Sequence, residues 1–242
     1  ARSFAPHNHS FMSPGKKYRA ALEKIEAGQL YPLDEAAALV KATATTKFDS
    51  SIEIHLNLGI DPTQAEQMIR STVSLPHGTG KKVRVVAFVT EDRVKEAKEA
   101  GAIEAGFDEL IEKIEKGWLD FDTAVATPDM MKGLAKVARQ LGQAGLMPNP
   151  KAGTVTPNIS GVISDLIKGQ VEFRNDKQGN LHNVVGKVSF DAKALQENIE
   201  IYLKAVMAHR PSAAKGRFLQ TITLCSTMGP GIHVDVGPFV QS

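Results

Sequence analysis

Cysteine is almost missing from this chain: of 242 residues only Cys225 is one. A single thiol cannot close an internal disulfide, so the fold has to be held by its core. Lying in the apolar run 218–226, Cys225 reads as a small buried hydrophobe of a reducing compartment and brings no metal cluster with it. Long apolar runs are missing too. None approaches the roughly 18 residues of a membrane-spanning helix, which speaks against a membrane partner. Charge of one sign is also scarce, with 29 Lys and Arg against 27 Asp and Glu. Nothing in the bulk charge announces a nucleic-acid binder, so any affinity for a polyanion must come from local placement.

Catalytic and ligand-binding signatures are equally sparse. The glycine-rich stretch His77-Gly78-Thr79-Gly80-Lys81-Lys82 lacks phosphate-loop spacing, because Leu75 stands where a glycine is needed and Lys82 where Ser or Thr is needed. It also precedes a strand instead of following one, and the dinucleotide pattern fails at Val83. No pair among the seven histidines has helical metal spacing. No Ser sits in a nucleophile elbow, and the acidic residues mostly alternate with Lys on solvated helix faces. Hence no catalytic residue, metal, cofactor or small-molecule substrate is nominated. The alternative to a binding protein is an α/β enzyme that takes a phosphorylated small molecule.

What is present is a globular composition, 42% apolar and 23% charged, long enough for one large domain or two small ones. The stretch Val171–Phe190 reads as two strands around an Asp176-Lys177-Gln178-Gly179-Asn180 turn, a hairpin whose polar face carries Arg174, Lys177, His182 and Lys187. That face is the first hint of a polyanion site. Upstream, Ile52, Ile54, Leu56 and Leu58 alternate with Glu53, His55 and Asn57, a strand wet on one side. Short helices are expected around Tyr18–Ile25 and, capped by Asp34, over 35–43.

After Pro76 the pattern changes. The apolar run 83–89, a helix over 91–100, a helix over 108–116, a strand over 121–127, a helix over 128–141 and another over 158–168 give the alternation of a small parallel-sheet unit. Beyond the hairpin, Asp191 caps a helix with the stripe Leu195, Ile199, Tyr202, Leu203 and Val206, and strands follow over 218–226 and 232–236. The fold class is therefore α/β and α+β. A discontinuous α+β host, 1–78 plus 170–242 with an antiparallel sheet, carries an inserted Rossmann-like α/β domain over 79–169. The two crossings, Pro76-His77-Gly78 and Gly169, have hinge chemistry. Residues 1–13 read as a flexible tail. The acid-poor, basic character of 1–22 fits a disordered terminus or the remnant of an organelle-targeting sequence.

Lys47-Phe48 and Ser226-Thr227-Met228-Gly229-Pro230 place apolar side chains beside strand ends. They are either core or a rim against ribose and base faces, the way structured RNA is read.

Several longer motifs add a resemblance. GKKYR at 15–19, KFD at 47–49, LGID at 58–61, TVSLPHGTGK at 72–81 and GWLDFD at 117–122 run in order. ATPDMM at 126–131, GLMPNPKAGTV at 145–155, VEFRNDKQGNLH at 171–182 and STMGPG at 226–231 continue the series. Together, from about Pro14 to Val236, the chain resembles the L-one family of large-subunit ribosomal proteins in its bacterial form. The resemblance implies two domains and no enzymatic activity. It implies binding to large-subunit ribosomal RNA at the mobile exit-site stalk, contact with deacylated transfer RNA during its release, and translational repression of the protein's own messenger RNA. Other ribosomal components would be its neighbours. The RNA-binding set it suggests is Lys47, Phe48, Arg174, Asp176, Lys177, His182, Lys187, Lys215 and 226–230. The ribosome of a mitochondrion is the favoured location, on the strength of residues 1–11, with the bacterial cytoplasm as the alternative. The chain departs from the family at Gln143-Ala144, where Pro-Arg is usual, at Ser50, where an acid is usual, and at Ser71, where Gly is usual.

By segment, Lys and Arg against Asp and Glu number 8 to 8 over 1–78, 13 to 13 over 79–169 and 8 to 6 over 170–242. Few phosphates can then be neutralised. RNA affinity should fall only gently with salt, with a log–log slope of about −2 to −5, since each phosphate contact contributes roughly −0.7 to −0.9. Filter binding across a salt series checks this, and a slope near about −10 would mean a broad basic face instead.

Overall fold

The alternation in Ile52–Leu58 becomes the central strand of the host. The computed structural model describes residues 15–26 and 28–240, so the expected tail and its targeting reading lie outside the described residues. In chain order the elements are α1 (Lys16–Leu22), α2 (Leu33–Ala42), β1 (Ser51–Leu58) and β2 (Arg70–Ser74). There follow β3 (Val85–Phe88), α3 (Val94–Glu99), β4 (Glu104–Gly106), α4 (Asp108–Glu115), β5 (Thr123–Ala126), α5 (Ala138–Ala144) and α6 (Ile159–Lys168). The last are β6 (Gln170–Arg174), β7 (Asn180–Lys187), α7 (Ala192–Ala208), β8 (Leu219–Ser226), β9 (Ile232–Val234) and the single-turn α8 (Gly237–Val240).

The host is built on an antiparallel sheet in the order β7-β1-β8-β9. Every second residue of β1 is buried, with Ile52, Ile54, Leu56 and Leu58 directed at α2 and α7. The α7 stripe predicted from spacing is fully buried against them, and Asp191 caps that helix by accepting from the Ala192 N–H at 2.8 Å. Asp34 is not a cap. Pro32 occupies the N-cap of α2, and Asp34 sits in the first turn, where a carboxylate still favours the positive end of the helix dipole. The face expected of the first helix is only partly covered, since Leu22 is exposed and Ala21 is its buried residue.

The hairpin expected over 171–190 does not form. β6 pairs with β2 in a separate two-stranded antiparallel sheet, while β7 pairs with β1. The turn itself exists, with Asp176 N–H donating to Asn180 O at 2.8 Å. Its arms are split because buried Asn175 directs its side chain elsewhere, accepting from Ile69 N–H at 2.8 Å and so holding β6 on β2. β2 is too polar, and β4 too short, to be read as strands from the sequence.

The insert is a three-stranded parallel sheet in the order β4-β3-β5. All four residues of β3 are buried because both faces are covered. Val85 and Ala87 meet Ala97, Ile159 and Ile163 on one side, while Val86 and Phe88 meet Leu110, Ile114, Leu134 and Leu141 on the other. Two expected helices break: 91–93 and 128–136 are 3₁₀ turns that run into α3 and towards α5. At the mouth of β5 Asp122 accepts from Lys81 Nζ at 2.6 Å and from Arg84 Nε at 3.1 Å. Burial works to raise its carboxyl, but these hydrogen bonds more than offset that and hold it at about 2.

The two crossings touch. A Cβ on Gly169 would lie 2.3 Å from Gly78 Cα, and Gly169 has φ 110°, so glycine is required there on two counts. Leu75 N–H donates to Gly169 O at 3.2 Å. Fully buried Asn198 of α7 accepts from His77 N–H at 3.1 Å and donates to Gly78 O at 2.9 Å and Val185 O at 2.8 Å. His77 Nε2 also meets Glu197 at 2.6 Å. Asn198→Ala would strand the buried Val185 carbonyl, at about 1–3 kcal/mol, and leave the half-buried groups of His77 and Gly78 to be paired by water at a smaller cost. The variant should lose about 2–4 kcal/mol in denaturant unfolding, and a loss below about 0.5 kcal/mol would mean that water replaces the amide without cost.

Candidate nucleic-acid interface

The outer face of the host sheet is polar across its strands, apart from Val184. Ser51, Glu53, His55 and Asn57 of β1 stand opposite Lys187, Val184, His182 and Asn180 of β7. On the other flank Cys225, Thr223 and Thr221 of β8 face Glu53, His55 and Asn57, and His233 of β9 faces Thr223. These side chains bond to one another. Asn57 Nδ2 donates to Asn180 Oδ1 at 2.7 Å, Lys187 Nζ donates to Ser51 Oγ at 2.9 Å, and His233 Nδ1 lies 3.1 Å from Thr223 Oγ1. The Nδ1 atoms of His55 and His182 are 2.8 Å apart. Burial first, and the neighbouring His182 next, lower the basicity of His55, with Glu53 pulling the other way. Glu53 is the single carboxylate in these paired rows.

Two clusters mark the ends of β1. An eight-residue strand rising about 3.4 Å per residue puts them roughly 24 Å apart. At the Ser51 end Phe48 is 61% exposed and Met228 76% exposed. Thr227 fixes their relation, its N–H donating to Ser51 O at 3.0 Å and its hydroxyl accepting from Ser51 N–H at 3.2 Å. Met228 has φ 65°, the one non-glycine residue at positive φ among the described residues. Such a conformation costs on the order of 1–3 kcal/mol. The turn closes with Gly229 N–H donating to Ser226 O at 2.8 Å, and a Cβ on Gly229 would lie 2.2 Å from Ser226 Oγ. Lys47 is exposed and Lys187 half-buried at this end.

At the Leu58 end Asp176 organises the turn. Its carboxylate accepts from the N–H groups of Gln178 and Asn180 at 2.8 and 2.7 Å and lies 3.5 Å from His182 Nε2. Burial acts to raise its carboxyl, and the backbone hydrogen bonds from Asn180 and Gln178 outweigh this and lower it. Arg174 and Lys177 are exposed beside it and line one cleft with Met68. Beyond Leu58, Lys215 lines a polar cleft with Asn57, Asp61, Arg217 and Gln220.

The residues expected to bind RNA therefore fall into two end clusters, with His182 between them. Ser226 and Pro230 are buried: they shape the Met228 turn and offer no surface. The Asp176 carboxylate is committed to its own turn. Cys225 is not a core residue, because the alternation of β8 sends Leu224 and Ser226 inward and leaves the thiol half-exposed on the outer face. Its Sγ lies 3.1 Å from His55 Nε2, and with Glu53 the three form a metal-compatible group that spacing along the chain does not reveal. Ser51, His55, Asn57 and Thr223 also belong to the face, and sequence reasoning misses them. The alternation of β1 exposes three of them, but only the register with β7 and β8 shows that they join one surface.

The sequence matches the family described as "Ribosomal protein L1p/L10e family" over residues 40–230. It is 51% identical over 222 residues to the large ribosomal subunit protein uL1 of Thermus thermophilus, covering 91% of this chain and 97% of that one. To the protein of the same name from Cutibacterium acnes it is 50% identical over 224 residues, 93% and 97% of the two chains. For that of Mycolicibacterium paratuberculosis the identity is 52% over 220 residues, 91% and 94% of the two. With a match this long to the family and half of its residues shared with these relatives, the chain belongs to the ribosomal protein L1p/L10e family.

Proposed function

We propose that the chain is a non-catalytic constituent of the large ribosomal subunit that holds large-subunit ribosomal RNA on the outer face of the host sheet. The observation that carries this is the pair Phe48 and Met228, two large apolar side chains exposed at one end of adjacent strands. The strained φ of Met228 is retained at a cost to the fold, which is how a residue shaped for a ligand behaves. Between them and the Arg174/Lys177 cluster runs a row of amide, hydroxyl and imidazole groups suited to ribose hydroxyls and base edges. The names of the bacterial relatives support the ribosomal role. The alternative, a phosphate-binding enzyme, is disfavoured by the cleft at the carboxyl ends of the parallel strands. Its rim carries Glu91, Asp108 and Glu109 against one Lys98, which repels a phosphate.

In finer terms the reading is a protein of the exit-site stalk that assists release of deacylated transfer RNA and can repress its own messenger RNA through a mimic of the ribosomal site. The hinge at Pro76, His77, Gly78 and Gly169 would let the insert act as the lever. Bacterial relatives favour the bacterial cytoplasm over the mitochondrial matrix, since the organelle reading rests on residues 1–11 alone.

Phe48→Ala and Met228→Ala should each weaken binding to a ribosomal RNA fragment by about 1–3 kcal/mol, the usual cost of one lost stacking contact. Met228→Gly separates fold from function. It should relieve about 1 kcal/mol of backbone strain and raise the melting temperature while losing RNA affinity. Normal binding by all three variants in filter titrations sinks the proposal.

The division into a host of 1–78 with 170–242 and an insert of 79–169 has its own test. Because Gly78 and Gly169 touch, a short Gly/Ser linker can bridge the gap left by 79–169 at little cost in loop-closure entropy, with loss of the contacts that the insert makes with β2 and β6. This host should fold and bind RNA within about tenfold of the full chain, or about 1.4 kcal/mol, while losing action on transfer RNA. A cooperative host that binds a hundredfold worse would place part of the recognition surface on the insert.

A further inference from the structure

We infer that Glu53, His55 and Cys225 form a zinc-binding site on the outer face of the host sheet. Glu53 and His55 are two residues apart on β1, so both project from the same side, and Cys225 is the Cα partner of Glu53 on β8. Their ligand atoms all lie within 4.8 Å of one another, with His55 Nε2 3.1 Å from Cys225 Sγ and 3.8 Å from Glu53 Oε2. Zinc bonds of about 2.3 Å to sulfur and about 2.0–2.1 Å to nitrogen and oxygen require tetrahedral S···N and N···O separations of roughly 3.5 and 3.3 Å. Side-chain shifts of about half an ångström satisfy both.

A second observation favours the tautomer that a metal needs. His182 Nε2 faces Asp176 Oδ2 at 3.5 Å, a pairing that favours the proton on Nε2 and the lone pair on Nδ1. With that tautomer, the lone pair lies 2.8 Å from His55 Nδ1 and takes the proton of that nitrogen as a hydrogen bond. His55 Nε2 is left with its lone pair aimed between the thiol and the carboxylate. A metal-ligating histidine characteristically donates its second N–H to an acceptor that orients it, and His182, backed by Asp176, supplies one here. Without metal the thiol S–H points its proton at the same lone pair.

The chemistry selects the ion. A thiolate with an imidazole and a carboxylate suits zinc and excludes magnesium and calcium, which prefer all-oxygen shells. His55 and Glu53 side chains are 30% and 40% exposed, so the site opens to solvent and a water completes the tetrahedron. On binding, the Cys225 S–H bond breaks, the S–Zn bond forms and the proton leaves to buffer. Two ligand charges then balance the ion, and the isolated negative charge of Glu53 disappears from the face.

The experiment titrates the full-length protein with cobalt(II), whose thiolate charge-transfer absorption reports directly on sulfur, and then displaces it with zinc. His7 and His9 offer imidazole but no thiolate, and Cys225 is the one cysteine of the chain, so the band is assigned unambiguously. We expect one equivalent of thiolate-bound cobalt, displacement by zinc but not by magnesium, and release of about one proton per zinc. Cys225→Ser should abolish the band, and His55→Gln and Glu53→Gln should each weaken zinc binding at least tenfold. His233→Asn, on the same face, should leave it unchanged. Glu53→Gln, at a half-exposed position, keeps the test valid if Cys225→Ser unfolds. Absence of the thiolate band, or a zinc affinity unaltered by the ligand substitutions, overturns the site.

Discussion

One side-chain amide holds the architecture in register. Asn198 is fully buried in α7 and makes three hydrogen bonds to backbone, two at the crossing, on His77 and Gly78, and one on Val185 of β7. An amide here is costly to desolvate unless all its partners are in place, so it enforces one arrangement of helix, edge strand and crossing together. Moving any of the three breaks bonds in the other two. The register of β7 on β1 follows, and with it the facing of His182 with His55 and of Lys187 with Ser51. The outer surface is thus positioned by a group on the inner one.

The inner layer repeats the device once more. Tyr202 of α7 donates its hydroxyl to Asn183 Oδ1 at 2.7 Å, and Asn183 Nδ2 donates to Glu172 O at 2.8 Å. A helix, the β7 edge and the β6 strand of the second sheet are joined by this chain. Burial pushes the Tyr202 hydroxyl far up, so it remains a neutral donor at any physiological pH. Since α2 and α7 cover one side of the sheet and hold it by polar as well as apolar contacts, nothing needs to pack on the other. The outer face of the sheet is thereby left uncovered among the described residues.

Elements with a strong period are legible in the sequence alone. The alternation of β1, the stripe of α7, the continuous apolar run of β3 and the stop of α6 at Gly169 are all where spacing puts them. The failures share a cause. Hairpin or crossover cannot be decided by the turn alone, because Asp176–Asn180 makes the same hydrogen bonds in either case. The decision belongs to Asn175, whose partner Ile69 is over a hundred residues away. The candidate site is legible as residue types near strand ends but not as a surface. Ser226 and Pro230 read as members of a rim, while β8 alternation and the closing of the Met228 turn bury both. Cys225 and His55 stand apart along the chain, and only the register of β8 on β1 makes them neighbours.

Near-neutral charge also has a physical consequence for how such a face discriminates. A strongly basic surface gains affinity from any polyanion, and that gain is blind to sequence and shape. Here the cations sit at the two ends of a strand roughly 24 Å long, with uncharged hydrogen-bonding groups between them and a single carboxylate, Glu53, in the middle. With Glu53 free of metal, a featureless duplex lying across the sheet would bring phosphates against that carboxylate, and in either state it would waste the apolar side chains of Phe48 and Met228. A folded RNA that places backbone at both ends and bases or ribose at the centre satisfies all three regions at once. In the proposed RNA-binding role, specificity would come from the spacing of unlike groups, which the fold fixes through β1, with the modest overall charge as a condition for that selectivity.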